Sequence, residues 1–405
     1  MDKVIVLSNP YKRLGVRRAI NAAGILTRIG GSRSPSQVQK AMEAATESFV
    51  TISELQLAAG KVIADAMGAE AGLPTAGGSA AILLASAACI MKGSELENYE
   101  PKGPAIWRHI ARRLPLQTDG LPTEFIVQKW NRDEYDHAVE CAGGHLVEVG
   151  ENDRVTTDDL RLAYRKGRTA AYYYTVTVKS HGIPLEDYIK IAHEMGAPVI
   201  VDACAEPPPK TSLKKYTGMG ADLVAISGGK VIAGPNNTGL LAGRRDLIKL
   251  AHLQSYPFEG VGRPAKMSRE SICGLIAALD HYIAQDEETV FREQEEKISH
   301  FINQIKVPGV ETWIEYAMSG DGKSRKYPLC CIRTNELVFG YSTRSLYEAL
   351  MELDPSVVTI YEPYFLLENY KGLFSVCALF LSWDELNYIA ESIRKFGITH
   401  VSGLN

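Results

Sequence analysis

The chain has 405 residues, 45% hydrophobic and 23% charged, with 44 basic against 48 acidic side chains and a formal charge of −4. That length favours two domains or one large domain with a smaller companion, and the balance is that of an ordinary globular protein. Nothing in the charge points to nucleic acid or an anionic membrane, no apolar run reaches the ~18 residues of a membrane span, and no basic-then-apolar leader opens the chain.

In chain order, "TAGGSAAILLASAACIMKG" (Thr75–Gly93) is a small-residue turn running into an Ala- and Leu-rich helix. "WRHIARR" (Trp107–Arg113) is a basic stretch best explained as a solvated helix face. "EFIVQK" (124–129) and "HLVEVG" (145–150) have strand character, with the helical "EYDHAVECAGG" between them. "TAAYYYTV" (169–176), the helical "LEDYIKIAHEMG", "PVIVDAC" (198–204) and "ADLVAIS" (221–227) follow. Strands alternating with helices predict βαβ units and a mainly parallel, buried sheet. "TGLLAG" (238–243) is a short strand close enough in sequence to Ser227 to pair antiparallel. Ser268–Ile305 has helical periodicity and is expected as one long connecting helix. The remainder, from "YPLCCIRT" through "WDELNYIAESIRKFG", forms an α+β layer in which Cys330 and Cys331 are a buried thiol pair. The seven cysteines are scattered and odd in number, which suits a reducing cytoplasm.

Three features carry chemistry. Gly77-Gly78-Ser79 precede a helix, and a helix N-terminus offers free N–H groups and a positive dipole end to an anion. The plain alternative makes Ser79 a simple cap. Asp202 ends an apolar strand, where open α/β sheets bind ligands; a buried carboxylate there needs a partner, and a protonated pyridine nitrogen is one. Its alternative is a helix cap for "AEPPPK", against which three prolines stand. Lys230 follows the strand and Ser227-Gly228-Gly229, a position suited to imine formation with a carbonyl cofactor once its ammonium loses a proton. The alternative is a surface lysine. Lys179, Lys210 and Lys266 are rivals, but none follows a strand in this way.

This order of features is that of a fold-type I pyridoxal phosphate (PLP) enzyme. "INAAGILTRIGGSRSPSQV", "ELQLAAGKVIADAMGAEAGLPTAGGSAAILLASAACI", "HGIPLEDYIKIAHEMGAPVIVDACAEPPP", "DLVAISGGKVIAGPNNTGLLAGRRDLI" and "GVGRPAKMSRESICGLIAAL" together resemble the selenocysteine synthase (L-seryl-tRNA selenium transferase) family, and more closely its shorter D-glucosaminate-6-phosphate ammonia-lyase-type members. The resemblance runs from Gly15 to the C-terminus. It implies an aspartate aminotransferase-like α/β fold with a mainly parallel sheet and a smaller α+β C-terminal domain. The expected division is an N-terminal arm and active-site loop (1–50), a large PLP-binding domain (51–260), and a connecting helix with a small domain (261–405).

The resemblance also implies roles. Lys230 carries PLP and Asp202 faces its pyridine nitrogen. Gly77, Gly78, Ser79 and Ser227 lie at the phosphate, and Arg263 reaches the phosphate or a substrate anion from a neighbouring subunit. "QKWNRDEYDHA" resembles a stretch that usually reads glycine-histidine-arginine; Trp130 and Asn131 stand where the glycine and the ring-stacking histidine are expected, and Arg132 is retained. Two readings follow: Trp130 stacks instead, or this member has changed chemistry. Arg28, Arg33 and Arg132 are candidate anion binders for the substrate, since a planar guanidinium suits carboxylate and phosphate. No metal is expected.

The implied activity is that of a lyase or deaminase on a small anionic amino acid, a β-hydroxy amino acid or an amino-sugar acid. Lys230 removes the Cα proton, the Cβ hydroxyl leaves, and a 2-keto acid and ammonia result. PLP also supports racemisation, aldol cleavage and decarboxylation. A transferase acting on seryl-tRNA is the second reading; about fifteen residues precede the matching core, against the roughly 50 a separate RNA-binding domain needs. A cofactor-free relative is the third, disfavoured by intact Asp202 and Lys230. A cytoplasmic homodimer or larger homo-oligomer is expected, without nucleic acid or membrane partners.

Overall fold

The computed structural model describes residues 10–151, 154–177, 182–320, 322–363, 365–366 and 370–401, the last four of these by backbone alone. Lys179, one of the rival lysines, lies outside them. The chain divides into two compact units: Gly31–Gln285 with Ser319–Lys323, and the N-terminal residues to Gly30 with Asp286–Met318 and Ser324 onward.

The larger unit contains α1 (Ser36–Thr46), α2 (Ile52–Met67), β1 (Ala71–Thr75), α3 (Gly78–Met91), β2 (Glu124–Gln128), β3 (His145–Val149), β4 (Thr169–Thr175), α4 (Leu185–Glu194), β5 (Val199–Asp202), β6 (Leu223–Ser227), β7 (Gly239–Gly243), α5 (Arg245–Gln254) and α6 (Arg269–Ala284). Its seven strands form one sheet in the order β1-β7-β6-β5-β4-β2-β3. All neighbouring pairs are parallel except those of β7, which runs antiparallel to β1 and to β6. The expected antiparallel pairing of "TGLLAG" is therefore observed. β2, β4, β5 and β7 are buried at every residue, as strands covered on both faces must be.

One face of the sheet packs against α3 and α5 through Leu73, Ile82, Ala85, Tyr173, Ala225, Leu241 and Leu250. α3 is apolar nearly all round and correspondingly buried. The other face packs against α4 and α6 through Ile126, Tyr172, Tyr188, Val201, Ile226 and Leu275. Val38 of α1 belongs to that second cluster. Gly274 of α6 is so close to α1 that an added Cβ would lie 2.8 Å from Cγ of Met42.

Val38 and Met42 of α1 share an apolar cluster with Leu275, Ala278 and Leu279 of α6, all within the unit that runs to Gln285. The single long helix expected over Ser268–Ile305 is two, α6 and α7 (Glu287–Gln304). Gln285 and Asp286 are extended between them. Asp286, accepting a hydrogen bond from Thr289 Oγ1 at 2.6 Å and followed by Glu287 and Glu288, makes a fresh helix start favoured by the positive dipole end.

The smaller unit holds α7 and an antiparallel sheet of β8 (Val310–Met318), β9 (Arg325–Thr334), β10 (Ile360–Tyr361) and β11 (Phe374–Cys377), in the order β10-β11-β9-β8. Ala19–Asn21 pairs in parallel with Ser356–Val358. α8 (Trp383–Val401) and α7 share a core with Cys330, Ile332, Phe374 and Val376. Cys330 and Cys331 are buried free thiols, as read from the sequence. Among the described residues no helix is long and apolar enough to cross a membrane.

Candidate active site

The register of β7 assembles the site. Gly239, its first residue, faces Thr75 on one side and Ser227 on the other. The C-terminal ends of β1 and β6 therefore lie at the same edge of the sheet, with Asp202 at the end of the adjacent β5.

Gly77 takes a φ of +97°, which favours glycine, and is the N-cap of α3. Gly77 N donates to Thr75 O at 2.9 Å, and the Ala81 amide is the first to bond back, to Gly77 O at 3.1 Å. No side chain caps the helix, so Ser79 is not the simple cap of the alternative reading; it stands one residue inside the first turn. The amides of Gly78, Ser79 and Ala80 precede the first intrahelical bond. An added Cβ on Gly78 would lie 2.4 Å from Cys204 Sγ and 3.9 Å from Ser227 Cβ. These contacts bring the glycine turn, the residue two beyond Asp202 and the end of β6 together.

Asp202 is only 5% exposed. Its Oδ1 accepts from the Cys204 amide at 2.9 Å, and its Oδ2 faces the Tyr173 hydroxyl at 3.5 Å. Burial, and after it the charge of Asp202, hold the phenol of Tyr173 well above its ordinary pKa. The same two causes keep the Cys204 thiol protonated, with Lys230 near enough to oppose them. The three prolines after Cys204 begin no helix, and α-helix resumes only at Ser212. Asp202 thus ends its strand and caps no helix.

Lys230 sits in the turn after β6 and is half-buried. The turn is tied by Gly228 N to Thr238 O, Gly234 N to Gly228 O and Ala233 N to Lys230 O, at 2.9, 2.9 and 3.0 Å. Gly229 has no room for a side chain: a Cβ would lie 2.6 Å from Asn236 Cα. The N-terminal glycines reach this turn from the other end of the chain. Ser32 Oγ donates to Gly229 O at 3.1 Å, and a Cβ on Gly31 would be 2.5 Å from that same oxygen. Arg33 follows directly and is exposed.

The remaining candidates are placed differently. Asn131 is fully buried; its Oδ1 accepts from Gln128 Nε2 at 2.6 Å and its Nδ2 donates to Thr175 O at 2.7 Å. It ties the ends of β2 and β4 together. Trp130 packs against the apolar cluster of Val149, Val155 and Tyr172, with Cζ3 3.0 Å from where a Cβ on Gly150 would lie. Arg132 is ion-paired with Asp136 and Glu148. Arg263 is exposed, its guanidinium 5.0 Å from the centroid of the Tyr256 ring. Arg28 is exposed in the smaller unit. Of the rival lysines, Lys210 donates to Ile283 O at 3.0 Å and Lys266 lies 5.8 Å from the Tyr256 centroid.

These residues fit PLP. A small-residue helix N-terminus suits its phosphate, a buried carboxylate suits its ring nitrogen, and a half-buried lysine on a close-packed turn suits its aldehyde. Sequence reading had not singled out Tyr173, Cys204 or Ser32.

Residues 138–306 match the family model of class-V aminotransferases. The 5'-C-glycyluridine monooxygenase-decarboxylase of a Streptomyces species is 30% identical over 358 residues, 86% of this chain and 83% of its own length. The D-glucosaminate-6-phosphate ammonia lyase of Salmonella typhimurium is 28% identical over 399 residues, covering 96% and 97%. The L-seryl-tRNA(Sec) selenium transferase of Haemophilus ducreyi is 25% identical over 324 residues, 62% of its length. A solved D-glucosaminate-6-phosphate ammonia-lyase superposes with a TM-score of 0.81 at 25% identity, over 97% of this chain and 99% of its own. The chain therefore belongs to the fold-type I, PLP-dependent, selenocysteine synthase-like family of enzymes, among relatives that include the D-glucosaminate-6-phosphate ammonia-lyases.

Proposed function

We propose that the protein is a PLP-dependent lyase that takes a small anionic amino acid, a β-hydroxy amino acid or an amino-sugar acid such as D-glucosaminate 6-phosphate, to a 2-keto acid and ammonia. The observation that carries the reading is the convergence of Gly78, Asp202, Cys204 and Ser227 at one sheet edge, with Lys230 in the next turn. Full-length likeness to an ammonia-lyase supports it.

PLP, when bound, supplies an electron sink for the bond broken at the substrate's Cα. The amides of Gly78 and Ser79 and the Ser227 hydroxyl would hold the phosphate. Asp202 would keep the ring nitrogen protonated, its own orientation fixed by the Cys204 amide. Nζ of Lys230 would take the Cα proton as general base and hold it. The Cβ hydroxyl would leave with the Cβ–O electron pair and the proton returned by Nζ of Lys230, as water, and hydrolysis would release the keto acid and ammonia. Arg33 and Arg263, exposed near the turn and loop described, are candidates for the substrate's anionic groups. Arg132 is already paired with two carboxylates, and its substrate role is the weaker assignment. We also propose a cytoplasmic homodimer or larger assembly, with Arg263 serving a neighbouring subunit.

A second reading has its own support. The relative at 30% identity is a monooxygenase-decarboxylase, which makes oxidative decarboxylation of an amino acid the competing chemistry. Incubation with a panel of β-hydroxy and amino-sugar acids separates the two. Keto acid and ammonia without oxygen uptake support the lyase. Oxygen consumption with carbon dioxide release supports the decarboxylase and overturns the lyase. Borohydride reduction and peptide mapping should place a pyridoxyl group on Lys230, and a label on another lysine would remove that residue from the reading.

A further inference from the structure

Three consecutive prolines, Pro207, Pro208 and Pro209, follow the segment that carries Asp202 and Cys204. Proline has no backbone N–H, so this stretch donates no hydrogen bond of its own. Side chains at its two ends hold it instead. Lys210 Nζ donates to Ile283 O at 3.0 Å and to Gln285 O at 2.5 Å, at the C-terminal end of α6. Glu206 is the anchor nearer the site and is only 3% exposed. Its Oε1 accepts from the Gly320 amide at 3.0 Å. Its Oε2 accepts from the hydroxyl of Tyr216, which is buried in the helix Ser212–Gly218. Gly320 belongs to the larger unit and is closely packed: a Cβ on it would lie 2.1 Å from Cγ1 of Val176, the residue after β4.

A short chain of bonds joins Glu206 to Asp202. The Glu206 amide donates to Ala203 O at 3.0 Å and closes a turn over residues 203–206. Ala203 N ties the start of that turn to Ala225 O of β6, also at 3.0 Å. Inside the turn is Cys204, whose amide donates to Asp202 Oδ1 at 2.9 Å. A shift at the Glu206 end of the turn therefore moves the amide that orients Asp202. A buried carboxylate is costly unless bonded, and an apolar side chain of like size would fill the same space at less cost. What the carboxylate adds is direction: two donors from separate segments fix where it lies.

We propose that Glu206 is a positioning residue of the candidate site. By fixing the 203–206 turn on Tyr216 and Gly320, it sets the direction of the Cys204 amide and so the orientation of Asp202 toward the ring nitrogen of bound PLP. The proposal rests on the PLP reading above. Glu206 acts only through the turn, and its removal is felt at the cofactor only while Asp202 has a charge to place.

The test is a double-variant cycle with Asp202, read as the PLP affinity of the full-length protein, with the visible circular dichroism of the bound cofactor as a second readout. Glu206→Leu removes both acceptors; it should weaken PLP binding about tenfold and shift the dichroic band. Glu206→Gln can accept from the Gly320 amide through its oxygen while its NH2 donates to the Tyr216 oxygen, and it should stay within about threefold of wild type. Tyr216→Phe, which loosens the carboxylate without removing it, should shift the band in the same direction as Glu206→Leu, to a smaller extent. In an Asp202→Asn background no charge is left to orient, so Glu206→Leu should weaken binding by less than about twofold more. A loss of equal size in both backgrounds is a general packing effect and overturns the proposal. Unchanged affinity and dichroism in a folded Glu206→Leu variant also overturns it, and both outcomes leave the PLP reading intact. Where Glu206→Leu fails to fold, the same cycle is run with Tyr216→Phe, and equal losses in the two backgrounds, or none in either, overturn the proposal. A wild-type protein that binds no PLP overturns the reading and the proposal together.

Discussion

Gly78 and Cys204 are 126 positions apart in sequence, yet a Cβ on the first would lie 2.4 Å from the sulfur of the second. The first turn of α3 is thereby pressed against the residue whose amide orients Asp202. The proposed phosphate-binding turn and the proposed partner of the ring nitrogen thus share one contact.

The contact predicts that Gly78→Ala is harmful through shape alone. Overpacking of this kind costs about 1–3 kcal/mol, and here the strain falls on the Asp202 segment. The variant should melt lower and bind PLP more weakly. Cys204→Ala in the same chain removes the sulfur and should recover most of both losses. A double variant no better than the single one would show that the glycine is needed for another reason.

Asp202→Asn tests the buried carboxylate. Asparagine retains the shape and can still accept from the Cys204 amide, but it carries no charge to hold a proton on the ring nitrogen. A charge-assisted hydrogen bond contributes about 1.5–3 kcal/mol, so PLP affinity should fall by roughly ten- to a hundredfold. Turnover should fall further, because the electron sink is weakened as well as loosened. Full activity in a stably loaded variant would remove Asp202 from the mechanism.

Much of this was legible in the sequence, for physical reasons that name its limits. Asp202 and Lys230 stand out because a charged residue at the end of an apolar strand is expensive unless used. The antiparallel β7 followed from the short chain between it and β6. Tyr173, Cys204 and Ser32 were invisible because their importance lies in contacts across the fold; Ser32 meets Gly229 from 197 residues away. Trp130 is the stacking candidate by its position in the motif, which carries no information on its packing against the apolar cluster that includes Val149 and Tyr172. The break at Gln285-Asp286 was hidden by continuous helical periodicity on both sides of a good capping residue.

His252 gives a pH prediction. It is buried, with Nε2 3.0 Å from Gln56 Oε1, and burial lowers its pKa from 6.5 to about 4. The folded protein therefore stays unprotonated there while the unfolded chain takes up a proton below pH 6.5. Stability falls as the pH drops from about 6.5 to about 4 and levels off below that, for a total of about 3 kcal/mol from this group. His252→Gln keeps a polar partner for Gln56 and removes the titration. Its melting temperature, compared with wild type from pH 7 to pH 4, should lose less on acidification. Parallel curves for the two proteins would rule out His252 as a source of acid sensitivity.

Arg263 supplies the last prediction. Its loop is held tightly: Gly262 N donates to Gln254 O at 2.9 Å, and a Cβ on Gly262 would lie 2.6 Å from Leu84 Cδ2 on α3. The guanidinium itself is exposed, leaning on Tyr256. A rigid loop that points a cation outward fits a residue that completes a neighbour's site, where a planar guanidinium would meet phosphate or carboxylate in two hydrogen bonds. Lys230→Ala should be inactive in every oligomer of itself, and Arg263→Ala should be strongly impaired. When the two are unfolded, mixed and reassembled, some sites receive an intact lysine from one chain and an intact arginine from the other. For a dimer with random pairing, about half the molecules are mixed and each restores one site of two, so activity should recover to roughly a quarter of wild type. Mixed oligomers verified by differential tags that stay inactive would place Arg263 in its own chain's site or outside any site. Recovery would establish both the shared site and the assembly that it requires.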